Sequence, residues 1–291
     1  DEDKAKNLEL LELAAQAVIE PVTGKYEPQN TPADTNKELM VVYPLVDVHM
    51  GLYAWSEEAG EDWDADHAEQ VLNKGMRYLV DSAPPAETCL IANLADFFHT
   101  DNVDNKTMRS GNVLDVDTRW ARVFQVGVKA YRNLITMALE KHENVVVKSG
   151  IGNHDDHSIL SLAMMMQAYF ENEPRVEIEL PISHFAYHVF GNTLIGINHG
   201  EIKPDKLPLI MAHDMREQWG KTKYSYWYVG HVHHKTANEF PGVTVESFRT
   251  PGAKDAWSHS KGYRAEKDMQ SITIHKTKGE VGRTRINTDW L

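Results

Sequence analysis

The chain contains five short clusters of Asp, His and Asn whose side chains could bind metal ions or move a proton. Carboxylate, amide and imidazole groups provide mixed oxygen and nitrogen donors, which suit Mn, Fe, Zn or Co and disfavour Ca. A carboxylate can also bridge two cations with its two oxygens, as a two-metal site requires. In chain order the clusters are Asp47-Val48-His49, Asp96-Phe97-Phe98-His99, Gly152-Asn153-His154-Asp155, Asn198-His199-Gly200 and Gly230-His231-Val232-His233.

Three of these clusters are weak evidence when taken alone. Composition supplies about one Asp-x-His by chance, so Asp47 and His49 could equally be a capping carboxylate beside a surface histidine. Asp96 could cap the next helix. A lone histidine such as His199 is more often structural than a ligand.

The other two clusters are far more specific. In Gly152–Asp155, the glycine permits a tight turn, the Asn amide can ligate a metal, His154 can donate a proton, and Asp155 can hold that imidazole and raise its pKa. His231 and His233 can each reach a different metal of a pair. His234 follows directly, so the sequence leaves open whether His233 or His234 is the second ligand of this cluster.

The elements that must position these clusters are short apolar runs, each ending at a cluster. In open α/β sheets, ligands collect beyond the carboxyl ends of the strands, so the five loops should converge on one site. The predicted buried strands are Met40–Val46, Thr88–Leu94, Val145–Ser149, Thr193–Asn198 and Tyr226–Val229.

Helical and further β-rich patterns surround these strands. We predict helices at Asp64–Ser82, Asp117–His142, Ser158–Glu171 and Lys206–Trp219, and further strands at Arg175–Leu180, His184–Phe190, Val243–Phe248 and Gln270–Lys276. Two mixed sheets packed together with helices outside would form a layered α/β/β/α sandwich, with the metal site at the carboxyl ends of the strands.

The first 36 residues have a different pattern. Leu8–Ile19 is predicted to form an amphipathic helix, and the polar stretch Pro21–Asn36 is predicted to be a linker. We therefore divide the chain into residues 1–36 and a main domain of residues 37–291. Because the sequence begins at Asp1 without a methionine, a preceding N-terminal region is left open.

Composition narrows the classes of function. The 291 residues are 42% hydrophobic and 25% charged, and no apolar run approaches the roughly 18 residues that cross a bilayer, so we expect a soluble protein with no membrane partner. Cys89 is the sole cysteine, which favours a reducing, cytoplasmic location. A net charge of −13 argues against a broad basic face for nucleic acid. It does not exclude nucleic acid, because bound dications would dominate the local charge.

Taken together, the order of the clusters resembles that of the calcineurin-like metallophosphoesterases, from about Val41 to His233. Ala95 departs from the family, which usually has glycine before the bridging aspartate. The resemblance implies a first metal held by Asp47, His49, Asp96 and His233, and a second held by Asp96, Asn153, His199 and His231. It also implies that His154 is the acid near the leaving oxygen.

Within the family, Ala95-Asp96-Phe97-Phe98-His99 looks most like the DNA-repair nucleases of the SbcD kind. It also resembles a set of phage and prophage phosphoesterases, a similarity that extends through Trp55, Arg109–Gly111 and Arg249–Asp255.

This ligand set suggests a mechanism. Two dications about 3.5–4 Å apart would lower the pKa of a bridging water and create a hydroxide that attacks phosphorus in line with the leaving group. His154 would protonate the departing alkoxide, while His99 could contact the phosphate. We expect two divalent ions, with Mn²⁺ favoured over Fe, Zn or Co.

Several other residues could contact a substrate. Arg109, Arg249 and Lys254 are candidates for binding its phosphate, with solvated surface charge as the alternative. Trp55 and Trp63 could stack on a base, although packing at the core or rim is the more common use of such residues.

Three functions are compatible with these patterns. The first is a phosphodiesterase acting on nucleic acid, with an exonuclease as one form of it, and the second is a phosphoesterase acting on nucleotides or cyclic nucleotides. The third is a scaffold without catalysis, a class that usually lacks ligands or the acid histidine, none of which is missing here. A homodimer is a further possibility.

Overall fold

The computed structural model describes residues 25–102, 104–107, 110–254, 259–262 and 264–291. The helix predicted at Leu8–Ile19 lies outside these residues. The described α-helices are α1 Ser56–Ala59, α2 Ala65–Ser82, α3 Trp120–Leu139, α4 Ser158–Tyr169, α5 Leu207–Asp214 and α6 Arg216–Lys221. The described strands are β1 Asn36–Leu45, β2 Ala86–Asn93, β3 Asn144–Ser149, β4 Val176–Ile178, β5 Ala186–Phe190, β6 Thr193–Asn198, β7 Tyr224–Val229, β8 Thr236–Phe240, β9 Val243–Ser247, β10 Asp268–His275 and β11 Gly279–Asn287.

The strands form two mixed sheets. The first has the order β11-β10-β1-β2-β3-β4, in which β1 to β4 run parallel and β10 pairs antiparallel with β1. The second has the order β5-β6-β7-β9-β8, with a parallel centre and antiparallel edges. The central strands are nearly all apolar because both faces of each sheet are covered.

Three hydrophobic layers confirm the predicted sandwich. The largest packs α2, α3 and α4 against one face of the first sheet, with Leu72 and Leu134 among its buried residues. The second fills the space between the sheets and includes Val42 of β1 and Ile195 of β6. The third lies between the second sheet and α5, around Trp227. The order of layers is therefore helix, sheet, sheet, helix.

Several boundaries differ from the sequence predictions. The helix predicted at Asp117–His142 is shorter, and that predicted at Lys206–Trp219 is two helices, because the backbone of Met215 leaves the helical region (φ −116°, ψ 43°). Strands β8 and β11 were not predicted, since both are polar edge strands without an apolar run.

The segment predicted as a linker is partly packed. Within it, Tyr26 is buried, its ring lies 5.1 Å from that of Phe170, and its N–H donates to the Tyr169 carbonyl. The division of the chain at residue 36 remains a prediction. Of the described helices, none combines the length and apolar character needed to cross a membrane.

Candidate metal centre

The loops that follow β1, β2, β3, β6 and β7 meet at one place, joined by short hydrogen bonds. The N–H of His49 donates to the Asp96 carbonyl (3.0 Å), and the N–H of His154 donates to Asp96 Oδ1 (2.9 Å). Across the two sheets, the N–H of His231 donates to Asp47 Oδ2 (2.8 Å). The convergence expected from the strand ends is therefore present.

The backbone of this region is strained. Non-glycine residues seldom adopt positive φ, and each such position costs of order 1–3 kcal/mol, a cost found mainly at functional sites. The site contains six of them, with φ between 42° and 74°: Asp47, His49, Ala95, Asp96, His231 and His233. Ala95, at φ 74°, has a conformation that glycine would adopt without strain.

Two glycines allow the loops to approach the carboxylates. A Cβ atom on Gly152 would lie 1.9 Å from Asp96 Oδ1, and one on Gly230 would lie 2.8 Å from Asp47 Oδ2. These positions require glycine because of close approach to a side chain, and neither has positive φ.

One group of donors surrounds Asp96. His199 Nε2 lies 3.0 Å from Asp96 Oδ2, 3.0 Å from Asn153 Oδ1 and 3.1 Å from His231 Nδ1. The other ring nitrogen, Nδ1, donates to the Leu94 carbonyl (3.1 Å) and so fixes the ring with Nε2 towards the group. The donor atoms of Asp96, His199 and His231 lie within 4.8 Å of one another.

A second group surrounds Asp47. His233 Nε2 lies 3.2 Å from His49 Nε2 and 3.8 Å from Asp47 Oδ1, and the three donors lie within 4.8 Å of one another. His234 instead turns outward and bonds the Val232 carbonyl, which settles the question of register in favour of His233.

The donors of both groups fit divalent cations. Asp47 Oδ1 is fully buried and has no hydrogen-bond partner, although an unsatisfied buried carboxylate oxygen is costly. Imidazole nitrogens also face each other at about hydrogen-bond distance, an arrangement that a cation between them would satisfy. Seven oxygen and nitrogen donors thus converge as predicted: Asp47, His49, Asp96, Asn153, His199, His231 and His233.

The electrostatics differ between the two groups. Burial, together with the charge of Asp96, raises the pKa of Asp47 to about 8 despite the proximity of His199. Burial acts to lower the pKa of His199, but Asp96 outweighs it and raises that pKa to about 10. The same contact holds the pKa of Asp96 well below its usual range, although burial opposes the shift. Burial lowers the pKa of His49, which keeps its ring in the neutral form that a metal ligand needs.

His154 and His99 lie beside the Asp47 group. The His154 ring packs edge-on against His49 (4.8 Å between centroids) and stacks on His99 (5.3 Å), and the donors of the three lie within 4.8 Å. Nδ1 of His154 donates to the His99 carbonyl (2.8 Å). This bond leaves Nε2 as the nitrogen available to a substrate.

The role predicted for Asp155 is wrong. Its carboxylate does not hold the His154 imidazole but accepts backbone N–H groups from Asp96 (3.1 Å), Phe97 (2.8 Å) and Phe98 (3.3 Å). The side chain is fully buried beneath the loop that follows β2, where it satisfies amides that no strand or helix pairs. Asp155 therefore positions Asp96.

The three basic side chains predicted to bind substrate differ in what the structure shows of them. Arg109 lies outside the described residues. Arg249 Nη1 donates to Glu266 (2.8 Å) and Asp268 (2.9 Å), so a phosphate would have to displace two carboxylates. Lys254 is partly exposed and makes no hydrogen bond or ion pair with the described residues, so its role stays a prediction.

Sequence reasoning missed several groups that hold the site. Thr250 Oγ1 donates to the Asp47 carbonyl (2.7 Å), and the Asp101 carboxylate accepts the N–H groups of His157 (2.6 Å) and Ser158 (2.7 Å) at the start of α4. Asp101 lies at the N-terminus of α4 although it is more than 50 residues earlier in the sequence, so no local pattern marks it as a cap. The carbonyls that fix His154 and His199 carry no sequence signal, because every residue has one.

Comparison with known proteins gives similarity at the level of whole structures only. No protein-family profile and no curated protein matches the chain. The phosphoesterase Yfce from E. coli is 16% identical and has a TM-score of 0.36, covering 85% of this chain and 100% of its own. An archaeal phosphodiesterase is 13% identical with a TM-score of 0.39 (86% and 99% covered), and Vacuolar Protein Sorting 29 from Cryptosporidium parvum is 14% identical with a TM-score of 0.41 (86% and 100% covered). Scores this low carry no inference about chemistry, so the function proposed below rests on the geometry of the site.

Proposed function

We propose that the chain is a dinuclear metallophosphoesterase of the calcineurin-like type that hydrolyses phosphodiester bonds in nucleic acid or nucleotides. The observation that carries this proposal is the pair of adjacent donor groups, Asp47/His49/His233 and Asp96/His199/His231, each with its donor atoms within 4.8 Å. Two cation sites side by side can stabilise both the attacking and the leaving oxygen when a phosphate ester is hydrolysed.

In this proposal Asp96 would be a ligand shared by the two cations. The first ion would be held by Asp47, His49, Asp96 and His233, and the second by Asp96, Asn153, His199 and His231. When bound, the two ions supply Lewis-acid polarisation of the phosphate and a water activated for attack. Mn²⁺ is the metal we favour for this mixture of nitrogen and oxygen donors.

The chain's own contribution to bond cleavage is the proton of His154. The His99 carbonyl holds Nδ1–H, so the ring orientation is fixed before substrate binds. From Nε2 the imidazolium then protonates the leaving oxygen as the ester bond breaks. His99, stacked against His154 and buried, limits the movement of that ring and lines the position of the phosphate.

Nucleotides or cyclic nucleotides are the second candidate substrates. The ion pairs of Arg249 with Glu266 and Asp268 remove one of the cations expected to grip a phosphate backbone. The net charge of −13 also opposes the approach of a long polyanion.

A substrate panel tests the proposal. With Mn²⁺ the protein should hydrolyse bis(p-nitrophenyl) phosphate, and comparison of single-stranded DNA, duplex DNA, cyclic nucleotides and simple aryl monoesters should identify the natural class. Activity should vanish with chelator and return with Mn²⁺. Activity that survives chelation would exclude the metal-dependent mechanism.

A further inference from the structure

Two large aromatic side chains stand exposed just beyond the first ligand cluster. In the extended segment after Gly51, burial alternates: Leu52 and Ala54 are buried, whereas Tyr53 is 44% exposed and Trp55 is 53% exposed. Successive side chains of an extended segment point to opposite sides, so Tyr53 and Trp55 share one face, roughly 6.6 Å apart. Together they form what we call the aromatic ledge.

The aromatic ledge lies within one or two nucleotide lengths of the ligand His49. The N–H of Leu52 donates to the His49 carbonyl (2.9 Å), which closes a tight turn. Such a turn keeps its ends within about 7 Å, and one more residue adds about 3.8 Å, so the Cα atoms of Tyr53 and His49 are at most about 11 Å apart.

The backbone of the ledge is held in place. The N–H of Tyr53 donates to the Asp115 carbonyl (3.0 Å), and Ala54 exchanges both backbone hydrogen bonds with Trp63 (3.0 and 2.9 Å). Trp63 itself is only 6% exposed and packs in the core, which is the more common use of such a residue. A platform fixed in this way loses little conformational entropy when a ligand binds.

The acidic side chains near the ledge disfavour a phosphate on the rings and favour an uncharged group. Glu57 and Glu58 follow Trp55 in α1, and the carboxylate of Asp62 accepts the N–H of Ser56 (2.8 Å). Three carboxylates would repel a phosphate placed over the rings. The flat and uncharged part of a phosphodiester substrate, its base, meets no such repulsion and stacks on any aromatic face.

We propose that Tyr53 and Trp55 bind a nucleobase next to the phosphate that is cleaved. This inference rests on the proposed function and makes it more specific: the substrate carries a base within one or two nucleotides of the scissile bond, and base stacking contributes to its selection. The base can belong to a free nucleotide or to a single strand, and the ledge has no preference for sequence, because every base offers a face to stack on.

The test compares esters that differ only in the base. The 5′ and 3′ p-nitrophenyl esters of thymidine phosphate and methyl p-nitrophenyl phosphate have the same leaving group, and kcat/KM is measured for each with Mn²⁺. The wild-type protein should prefer at least one thymidine ester over the methyl ester. Tyr53→Ala and Trp55→Ala should each reduce that preference about 10-fold, and Trp55→Phe should keep most of it.

Tyr78→Ala is the matched control, since Tyr78 is 43% exposed and lies 13 residues into α2, about 20 Å along its axis. It should leave the preference unchanged. A second pair of substrates, a single-stranded oligonucleotide and the same strand with abasic sites, distinguishes the source of the base. If Tyr53→Ala and Trp55→Ala lose the preference both for the thymidine ester and for the intact strand, the ledge binds the base of the cleaved nucleotide. If they lose only the preference for the intact strand, the ledge binds the base of a neighbouring nucleotide.

Other outcomes would overturn the inference. One is a wild-type protein that hydrolyses the methyl ester and the thymidine esters equally well, and treats intact and abasic strands alike, since this would leave the proposed hydrolase without a base site. Another is a change of molar mass in solution on Trp55→Ala with an unchanged preference, which would assign the ledge to an interface between copies. Failure to hydrolyse any of these esters would refute the proposed function itself, and this inference with it.

Discussion

The two halves of the candidate metal centre satisfy their carboxylates in different ways. Both oxygens of Asp96 have partners: Oδ1 accepts the His154 N–H, and Oδ2 faces the protonated ring of His199. Asp47 has a partner for Oδ2 only, and its buried Oδ1 has none. In the metal-free protein one half therefore carries its own positive charge, and the other lacks one.

This difference shows what a cation would do in each half. In the Asp47 half it would provide a missing partner, so that binding relieves the cost of an unsatisfied carboxylate. In the Asp96 half it would have to replace the proton of His199, because a ligating imidazole must be neutral. A cation in the Asp47 half must likewise displace the proton that Asp47 keeps below about pH 8, so metal affinity should rise with pH up to about 8 in the Asp47 half and up to about 10 in the Asp96 half.

The largest effect should come from removing the two carboxylates one at a time. Asp96→Ala should lose both ions and all activity, because the bridging ligand is gone, whereas Asp47→Ala should lose one ion and keep His199 and its neighbours in place. Metal content by mass spectrometry and hydrolysis of bis(p-nitrophenyl) phosphate measure both effects, with the exposed Asp205→Ala as control. Two ions retained in Asp96→Ala would contradict the bridge.

His154 should affect turnover without affecting the metals. His154→Ala should retain both ions and lower kcat about 10²–10⁴-fold, with the greater loss for a nucleoside leaving group, which needs the proton, than for p-nitrophenolate. His157→Ala, three residues away and exposed, serves as the control. Equal losses for both leaving groups would mean that His154 positions the phosphate and does not donate a proton.

The metal-free protein should lose stability as the pH rises from about 6.5 to 8. The folded-state pKa values of Asp47 (about 8) and His199 (about 10) lie above those of the unfolded chain, so only the folded state keeps these protons in that window. Each group then lowers the free energy of unfolding by up to about 1.4 kcal/mol per pH unit. The contribution of Asp47 is fully lost above pH 8 and that of His199 above pH 10.

Urea unfolding in chelator at several pH values measures this loss. Asp47→Asn should flatten the dependence, because it removes one of the two protons. Saturation with Mn²⁺ should also flatten it, since the ion replaces both protons. If the stability of the metal-free protein is constant or rises between pH 6.5 and 8, Asp47 and His199 do not keep their protons in the folded state.

The smallest effect concerns the strained turn beside Asp96. Ala95→Gly should stabilise the protein by up to about 1 kcal/mol, because glycine adopts φ 74° without the steric cost that alanine pays. Ala92→Gly, in the buried interior of β2, should destabilise by a similar or larger amount and is the control. Thermal unfolding with and without Mn²⁺ measures both. If Ala95→Gly destabilises the protein, the Ala95 side chain contributes more to the free energy of unfolding than its backbone strain costs.

The sequence alone determined which side chains bear the chemistry and where the strands that carry them end. Apolar runs followed by Asp, His or Asn predict buried strands with polar tips, and parallel strands bring those tips to one edge. This is why the layered fold, the convergence of all seven donors and the place of His154 could be inferred. The polar edge strands β8 and β11 could not, because their residues lack the apolar pattern that marks a buried strand.

Only the tertiary structure decided how each of these groups is held and charged. Asp155 supports the backbone of the β2 loop, Arg249 is occupied by acidic neighbours, and Trp63 is buried while Trp55 is exposed, although nothing in their local sequence distinguishes these outcomes. The physical reason is that hydrogen-bond partners and desolvation depend on groups far away in the chain. The free oxygen of Asp47 and the proton on His199 arise in this way, from carbonyls, amides and carboxylates that five separate loops bring together.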